Sequence, residues 1–115
     1  MTIGEFSERS GVNCSALRYY ESKGLIQVAR DMANRRIYSE DEIEWVKFLQ
    51  RLKNTGMSLR EIKRYSDLRY LGDATFQERL ELLMNHQEYV ANQLKLWEEY
   101  AQNLQDKITW YRNQI

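Results

Sequence analysis

The sequence contains no proline, only five glycines and a single cysteine in 115 residues. The absence of proline and the scarcity of glycine favour long uninterrupted helices over a barrel or sandwich with many turns. One cysteine excludes an internal disulfide framework and a thiolate-rich metal cluster, and it fits a reducing cytoplasm. No apolar run reaches the roughly 18 residues of a membrane-spanning helix, and the polar N-terminus does not resemble a signal peptide. We therefore expect a mostly helical, cytoplasmic protein that does not contact a membrane.

The net charge is zero, yet the charges are unevenly distributed along the chain. Residues 1–71 carry 13 basic and 10 acidic side chains, whereas residues 72–115 carry 4 and 7. Four of the acidic residues in the first part lie together at positions 40, 41, 42 and 44. The rest of residues 1–71 can therefore present a basic face, although the whole chain is neutral.

Helix starts are marked by a Ser or Thr followed three residues later by Glu, a pair that satisfies two backbone N–H groups of the first turn. This pattern begins at Thr2, Ser39, Ser58 and Thr75, and Asn13 is a further N-cap candidate. Glycines that fit the left-handed end of a helix are Gly11, Gly24 and Gly56. The sequence therefore predicts five helices, over residues 3–9, 13–23, 40–54, 59–70 and 75–113.

A short β-hairpin is predicted between the second and third helices. Residues 25–38 have β-type side chains on both sides of the turn-prone tetrad Asp31-Met32-Ala33-Asn34. Two helices joined by a tight turn at Ser10-Gly11-Val12 and followed by a β-ribbon have the order of a winged helix-turn-helix unit. We therefore predict an all-α fold with a small β-wing, in which residues 1–71 form the winged helix-turn-helix domain.

The last helix carries the clearest periodic signal. Side chains recur at alternating steps of four and three from Phe76 to Ile115, and Gln87 is the single polar member. A stripe with a mean period of about 3.5 residues stays on one side only if the helix supercoils against a partner. No other part of the chain can cover such a helix, so we predict that residues 72–115 form a dimerisation helix. Its predicted seam contains Leu80, Leu83, Val90, Leu94, Trp97, Leu104 and Ile108.

The second helix divides into two faces at helical spacing. Ala16, Leu17 and Tyr20 form an inward stripe. The opposite face carries Ser15, Arg18, Tyr19 and Ser22. An arginine can bond guanine bidentately in the major groove, and Tyr and Ser hydroxyls are common phosphate donors. Taken alone, this face fits a DNA-reading helix and an ordinary solvated surface equally well.

The predicted wing favours the DNA-reading interpretation. Arg30, Arg35 and Arg36 crowd one short hairpin that also carries Tyr38. A solvated charge run is the usual explanation of such a cluster, but this one directly follows the predicted recognition helix, where a wing would meet the DNA backbone or the minor groove. Ser58 adds the dipole and free N–H groups of a helix start, which suit a phosphate.

Four motifs in order and at matching spacing resemble the MerR family of bacterial transcriptional regulators. They are Ile3-Gly4-Glu5-Phe6, Leu17-Arg18-Tyr19-Tyr20-Glu21, Arg36-Ile37-Tyr38 and Gly56-Met57-Ser58-Leu59-Arg60-Glu61-Ile62. The resemblance covers residues 2–69, and the last helix resembles that family's antiparallel dimerisation coil. It implies a homodimer that binds a pseudo-palindromic operator in double-stranded promoter DNA. Bending and untwisting of that DNA would then realign the promoter elements for RNA polymerase.

The resemblance also implies roles for individual residues. Arg18 and Tyr19 correspond to recognition-helix contacts, Arg36 and Tyr38 to wing contacts, and Ser58 to a phosphate contact. The wing departs from the family pattern, which has Gly-Tyr where this chain has Asn34-Arg35. Asn tolerates the left-handed conformation, so we expect the hairpin to form and Arg35 to add a phosphate contact. The predicted DNA-binding residues are Ser15, Arg18, Tyr19, Arg35, Arg36, Tyr38 and Ser58.

Nothing in the sequence predicts a cofactor or a metal site. Residues 72–115 contain no cysteine, which excludes the family's thiolate metal sensors and iron–sulfur sensors. The start of the last helix resembles the family's short aldehyde- and stress-responsive branch. That branch carries a cysteine in the third helix, where this chain has Gln50-Arg51-Leu52-Lys53. We interpret Cys14 as a structural filler with an oxidation switch as the alternative, and His86 as an interface or solvated residue.

The sequence does not predict an enzyme. It has one histidine and no phosphate-binding glycine loop, so the common catalytic motifs are missing. The alternative to a DNA-binding regulator is a coiled-coil adaptor whose helix-turn-helix module binds protein. A salt-dependent DNA affinity distinguishes the two, because phosphate contacts release counterions.

Overall fold

The computed structural model describes all 115 residues of the chain. Five α-helices, one 3₁₀ turn and two short strands make up the fold. In chain order these are α1 (Ile3–Ser10), α2 (Cys14–Ser22), β1 (Ala29–Arg30), β2 (Arg36–Ile37), α3 (Glu42–Asn54), α4 (Leu59–Leu71), the 3₁₀ turn Asp73–Thr75 and α5 (Phe76–Arg112). The predicted helices and hairpin are therefore confirmed, with helix ends that differ from the predictions by at most two residues.

Three of the predicted helix caps are present. Thr2, Asn13 and Ser58 each accept a hydrogen bond on the side-chain oxygen from the backbone N–H three residues further on, at 3.2, 2.8 and 3.1 Å. The residue at each of these positions has an extended backbone, as an N-cap requires. These local signals therefore determine where α1, α2 and α4 begin.

The capping boxes predicted at Ser39 and Thr75 are wrong. The N-cap of α3 is Asp41, without a side-chain capping bond, and the Ser39 hydroxyl accepts the Asp41 N–H at 3.3 Å in the turn before it. The buried Thr75 hydroxyl donates to the carbonyls of Leu68 and Gly72 at 2.6 and 2.8 Å. Because the 3₁₀ turn runs directly into α5, Thr75 closes the end of α4 instead of starting a new helix.

The apolar core is built from α1 to α4 and the loop after α2. Its most completely buried side chains are Tyr20, Phe6, Leu17, Leu25, Leu49, Ile62, Val46 and Ser66. The Leu25 carbonyl accepts hydrogen bonds from Trp45 Nε1 at 3.1 Å and from the Ser66 hydroxyl at 2.6 Å. This carbonyl ties the chain that leads into the hairpin to both α3 and α4.

The hairpin turn is organised by its own polar side chains. Strands β1 and β2 are antiparallel, and the Asp31 carboxylate accepts the backbone N–H groups of Ala33 and Arg35, each at 2.9 Å. Asn34 takes a φ of 61°, a left-handed conformation that Asn tolerates better than most residues. The expectation that the hairpin forms with Asn34 at this position is confirmed.

The chain divides into two compact units, Met1–Leu82 and Leu83–Ile115. Helix α5 begins in the first unit and supplies nearly all of the second. The division into a winged helix-turn-helix domain of residues 1–71 and a dimerisation helix of residues 72–115 assigns functions to the two parts, and this assignment stays a prediction. None of the helices combines the length and apolar character that crossing a membrane requires.

Candidate nucleic-acid interface

The two faces predicted for α2 are confirmed. Leu17 and Tyr20 are buried with at most 1% exposure, whereas Ser15, Arg18 and Tyr19 are exposed. The Arg18 guanidinium makes no hydrogen bond or ion pair within the chain. Since an arginine carries five N–H donors, Arg18 has its full donor capacity available to an external acceptor.

Four arginines line one open depression of about 390 Å³ beside α2. Arg18 comes from α2, and Arg30, Arg35 and Arg36 come from the hairpin. No acidic residue lines this depression, which we call the arginine groove. Converging guanidinium groups create a positive potential and match phosphate oxygens geometrically. The groove is therefore suited to bind a phosphate backbone.

The hairpin arginines are oriented by acidic neighbours and remain accessible. Arg35 Nε lies 3.0 Å from the Asp31 carboxylate within the turn, and Arg36 Nε donates to the Glu21 carboxylate at 2.7 Å. The side chain of Arg36 stays 42% exposed and that of Arg35 79% exposed. The hydrogen bond that Arg36 donates to Glu21, together with the negative charge of Glu21, raises the pKa of Arg36. Arg36 is therefore charged and held in one orientation.

Tyr38, which the sequence predicts as a wing contact with DNA, is buried in the first unit. Strand β2 ends at Ile37, and the Tyr38 ring is 3% exposed and packs on Phe6 with ring centroids 5.0 Å apart. Side chains alternate along a strand, so Tyr38 shares the face of Arg36, but α1 covers this face at Tyr38. Its hydroxyl is buried without a hydrogen-bond partner, and burial raises its pKa. The role of Tyr38 in DNA binding stays a prediction.

Ser58 is engaged in its own helix start. Its hydroxyl accepts the Glu61 N–H at 3.1 Å and donates to the Glu61 carboxylate at 3.2 Å, so both its acceptor and its donor are used within the first turn of α4. Ser58 is exposed, but a phosphate at this position meets the negative charge of Glu61. A phosphate contact at Ser58 therefore stays a prediction.

Two lysines beside Tyr19 were missed by the sequence analysis. Lys23 Nζ lies 5.7 Å and Lys53 Nζ 5.8 Å from the centroid of the Tyr19 ring. Lys23 follows Tyr19 by four residues, so helical spacing contains a signal for this pair. Lys53 belongs to α3, and only the packing of α3 beside α2 brings it here. The positive surface therefore extends from the arginine groove past the exposed face of α2.

The predicted seam of α5 is a stripe of largely exposed apolar side chains in the single chain. Leu83 and Val90 are half-buried. The exposed members are Leu80, Leu94, Trp97, Leu104 and Ile108, with exposures from 45% to 67%. A contiguous apolar stripe of this length on a helix is typical of an interface with another chain.

Together, the capped helix pair, the exposed α2 and the arginine-bearing hairpin define a winged helix-turn-helix DNA-binding domain. The chain matches the family model described as MerR HTH family regulatory protein over residues 1–68 and the model described as MerR, DNA binding over residues 43–107. The chain belongs to the MerR family, and the resemblance seen in its sequence is confirmed.

Two bacterial relatives align with most of this chain. An uncharacterized HTH-type transcriptional regulator of Haemophilus influenzae is 36% identical over 112 residues, which cover 96% of this chain and 83% of the relative. The HTH-type transcriptional regulator AdhR of Bacillus subtilis is 33% identical over 89 residues, which cover 76% of this chain and 64% of that protein.

Two solved structures share the fold over nearly the whole chain. HiNmlR, described as a MerR family regulator lacking the sensor domain and bound to promoter DNA, is 35% identical with a TM-score of 0.82 and covers 97% of this chain and 90% of its own. A putative MerR family transcriptional regulator from Listeria monocytogenes is 30% identical with a TM-score of 0.85, over 94% and 83% of the two chains. The predicted fold class and the function of a MerR-type DNA-binding transcriptional regulator are confirmed.

Proposed function

We propose that this regulator acts as a homodimer that binds a pseudo-palindromic operator in double-stranded promoter DNA and controls transcription by distorting that DNA. The arginine groove between α2 and the hairpin carries the proposal, because four arginines without an acidic residue line one depression beside the exposed face of α2. A DNA-bound relative with the same fold supports it.

In this proposal α2 enters the major groove. Arg18 is exposed and unpaired, and it reads a base edge, where a bidentate contact to guanine is the commonest specific contact. Ser15 and Tyr19 are exposed on the same face and bind flanking phosphates. Lys23 and Lys53, which lie beside the Tyr19 ring, add positive charge at the edge of the contact.

The hairpin binds the DNA backbone next to α2. Arg30, Arg35 and Arg36 all keep at least 41% of their side-chain surface exposed, so each can approach a phosphate without first leaving the core. Tyr38 does not line the arginine groove, and its hydroxyl is buried, so a DNA contact by Tyr38 requires its side chain to become exposed. These contacts fix the position of the domain along the duplex.

Dimerisation through α5 supplies the second copy of this interface. Burial of the exposed stripe against the same stripe of another chain, as an antiparallel coiled coil, removes its apolar side chains from water. A two-fold dimer places two α2 helices on related half-sites, which is why the operator is expected to be pseudo-palindromic. Deformation of the DNA between the half-sites then acts on RNA polymerase at the same promoter, in the cytoplasm.

The adaptor alternative, in which the helix-turn-helix module binds protein, is not favoured. The chain matches a DNA-binding family model over residues 43–107, and its relatives are transcriptional regulators. Catalytic activity has no support from these relatives either.

The test is fluorescence anisotropy of the purified protein with the DNA upstream of its own gene and with a scrambled duplex of equal length. At about 50 and 200 mM salt, the proposal expects tighter binding to the promoter duplex and a loss of affinity of several orders of magnitude at the higher salt. The double variant Arg35→Gln/Arg36→Gln should weaken binding and flatten the salt dependence, whereas Lys95→Gln on α5 is the single-charge control. Equal, salt-insensitive affinity for both duplexes would contradict the proposal.

A further inference from the structure

Glu21 lies on α2 three residues after Arg18, and it faces the hairpin arginines that line the same groove as Arg18. Its side chain is 20% exposed, and its carboxylate reaches two hairpin arginines at once, Arg36 Nε at 2.7 Å and Arg30 at 3.6 Å. Glu21 therefore connects the recognition helix to both strands of the hairpin through a single carboxylate.

The position of these two arginines gives the carboxylate a repulsion to offset. Arg30 and Arg36 are directly paired across the antiparallel strands, and like charges directly opposite each other destabilise a strand pair. Each strand has only two residues, all of them exposed, so apolar burial does little to hold the pair together. The Glu21 carboxylate offsets the repulsion and sets the direction of both guanidinium groups.

Both arginines remain available to DNA while Glu21 holds them. The Arg30 side chain is 41% exposed and that of Arg36 is 42% exposed, and both line the arginine groove, whereas Glu21 does not. Orienting the two side chains before DNA arrives reduces the rotamer entropy lost on binding. At the same time, a carboxylate near the groove repels every phosphate, regardless of the DNA sequence.

We propose that Glu21 is a specificity-determining positioning residue, which lowers affinity for DNA in general and raises the preference for the operator by fixing Arg30 and Arg36 relative to α2. The inference rests on the proposed function, since it requires that α2 and the hairpin bind DNA together. Specificity gained at the expense of general affinity is the behaviour expected of a repulsive element placed beside an attractive site.

Two variants of Glu21 separate positioning from repulsion. Glu21→Gln removes the charge and weakens the hold on both arginines, so we expect affinity for a scrambled duplex to rise about threefold and the ratio of promoter to scrambled affinity to fall about tenfold. Glu21→Asp keeps the charge but shortens the side chain by one methylene. It should lower the same ratio without raising affinity for the scrambled duplex.

The matched control is Glu44→Gln, which removes one negative charge from an exposed residue of α3 that pairs only with Lys47, at 3.6 Å. This variant should shift affinity for both duplexes equally and leave the ratio unchanged. The double variant Glu21→Gln/Arg36→Gln should lower the ratio of promoter to scrambled affinity by less than the product of the two single effects, because Glu21 acts in part through Arg36. Circular dichroism melts of each variant verify that the domain is folded. If Glu21→Gln does not fold, the ratio of promoter to scrambled affinity measured for Glu21→Asp tests the inference instead.

The outcomes distinguish the inference from the proposed function. A lowered ratio in both Glu21 variants, with Glu44→Gln unchanged, supports the positioning role. A wild-type protein that prefers its promoter duplex, together with Glu21 variants that keep the wild-type ratio, would overturn the inference and leave the proposed function intact. A wild-type protein without any preference would overturn both.

Discussion

The two compact units of the chain, Met1–Leu82 and Leu83–Ile115, differ in how completely their apolar side chains are buried. Every buried apolar side chain belongs to the first unit, and the last of them along the chain is Leu68. In the second unit, Leu94, Trp97 and Leu104 are each at least 59% exposed. The first unit therefore has a core of its own, whereas the second presents half of an interface and depends on another chain to bury it.

The first unit therefore determines the geometry of the proposed DNA site, whereas the second determines how many copies of that site an assembly contains. Arg18, Arg36 and Glu21 are placed by the core of the first unit, which a single chain completes by itself. In the proposed function, the seam of α5 carries none of the proposed DNA-binding residues but determines how many copies of the site act together. The following predictions test this separation, beginning with the largest expected effect.

Leu94→Lys should abolish self-association. Leu94 lies at the centre of the predicted seam and is 59% exposed in the single chain, so the variant chain itself tolerates the charge. In a symmetric dimer two lysines would lose water in the seam, which costs about 5 kcal/mol or more. Sedimentation velocity should show a monomer, with operator affinity strongly reduced.

Asn92→Lys is the control for this change, because the substitution adds the same positive charge to α5 at a position outside the predicted seam. It should remain dimeric. A dimer of Leu94→Lys at the same concentration would show that the exposed stripe is not the interface.

Leu49→Ala should destabilise the first unit whether or not the chain is dimeric. Leu49 is fully buried, and truncation of a buried leucine to alanine costs about 2–5 kcal/mol. Leu104→Ala makes the same chemical change at a side chain that is 67% exposed in the single chain. Urea unfolding at several protein concentrations measures the free energy of unfolding of both variants. Leu49→Ala should lower it by the same amount at every concentration, whereas the decrease for Leu104→Ala should depend on how much of the protein is dimeric. Equal behaviour of the two variants would refute the division into a self-contained and a partner-dependent unit.

Arg18→Ala should impair reading of the DNA without affecting the fold or the dimer. If Arg18 contacts a base, the variant should lose about 1–3 kcal/mol of binding free energy on the promoter duplex and much less on a scrambled one. Anisotropy measures both, with Lys95→Ala as the control. An equal loss on both duplexes would instead identify Arg18 as a phosphate contact.

Tyr70 should make the first unit sensitive to alkali. Its hydroxyl accepts the Gln27 N–H at 3.0 Å and donates to the Glu42 carboxylate at 2.8 Å, and burial, with Glu42 nearby, raises its pKa from 10.0 to about 12. The folded chain keeps this proton between about pH 10 and 12, whereas the unfolded chain releases it, so stability falls as the pH rises through that interval.

Tyr70→Phe should reduce this fall in the free energy of unfolding between pH 10 and 12, measured by urea titration at each pH. Tyr89→Phe, at an exposed position of the second unit, should behave as wild type. A Tyr70→Phe slope identical to that of the wild type would show that the Tyr70 hydroxyl titrates alike in the folded and unfolded chains.

The prediction of the fold from the sequence succeeded wherever the signal was local. Caps at Thr2, Asn13 and Ser58 were found because their hydrogen bonds close within three residues along the chain. Thr75 carries the same pattern, but its hydroxyl donates seven residues back, to the carbonyl of Leu68. A local pattern cannot reveal that the end of a preceding helix competes for the same hydroxyl.

The candidate site was predictable to a similar extent. Exposure of Arg18 and Tyr19 followed from helical spacing, and the grouping of arginines followed from the short hairpin. Tyr38 was predicted as a wing contact with DNA, and its burial against Phe6 depends on the packing of α1 beside the hairpin. Lys53 was missed because it reaches Tyr19 from a different helix.

The sequence by itself determined the helices, the hairpin turn, the apolar stripe of α5 and the family, because each of these is encoded by residues that are neighbours along the chain or along one helix. Only the tertiary structure decided which charged groups meet. Glu21 holds Arg30 and Arg36 across 9 and 15 residues, and Leu25 receives bonds from α3 and α4. Such contacts form between elements brought together by burial of the core, so their partners cannot be read from local spacing.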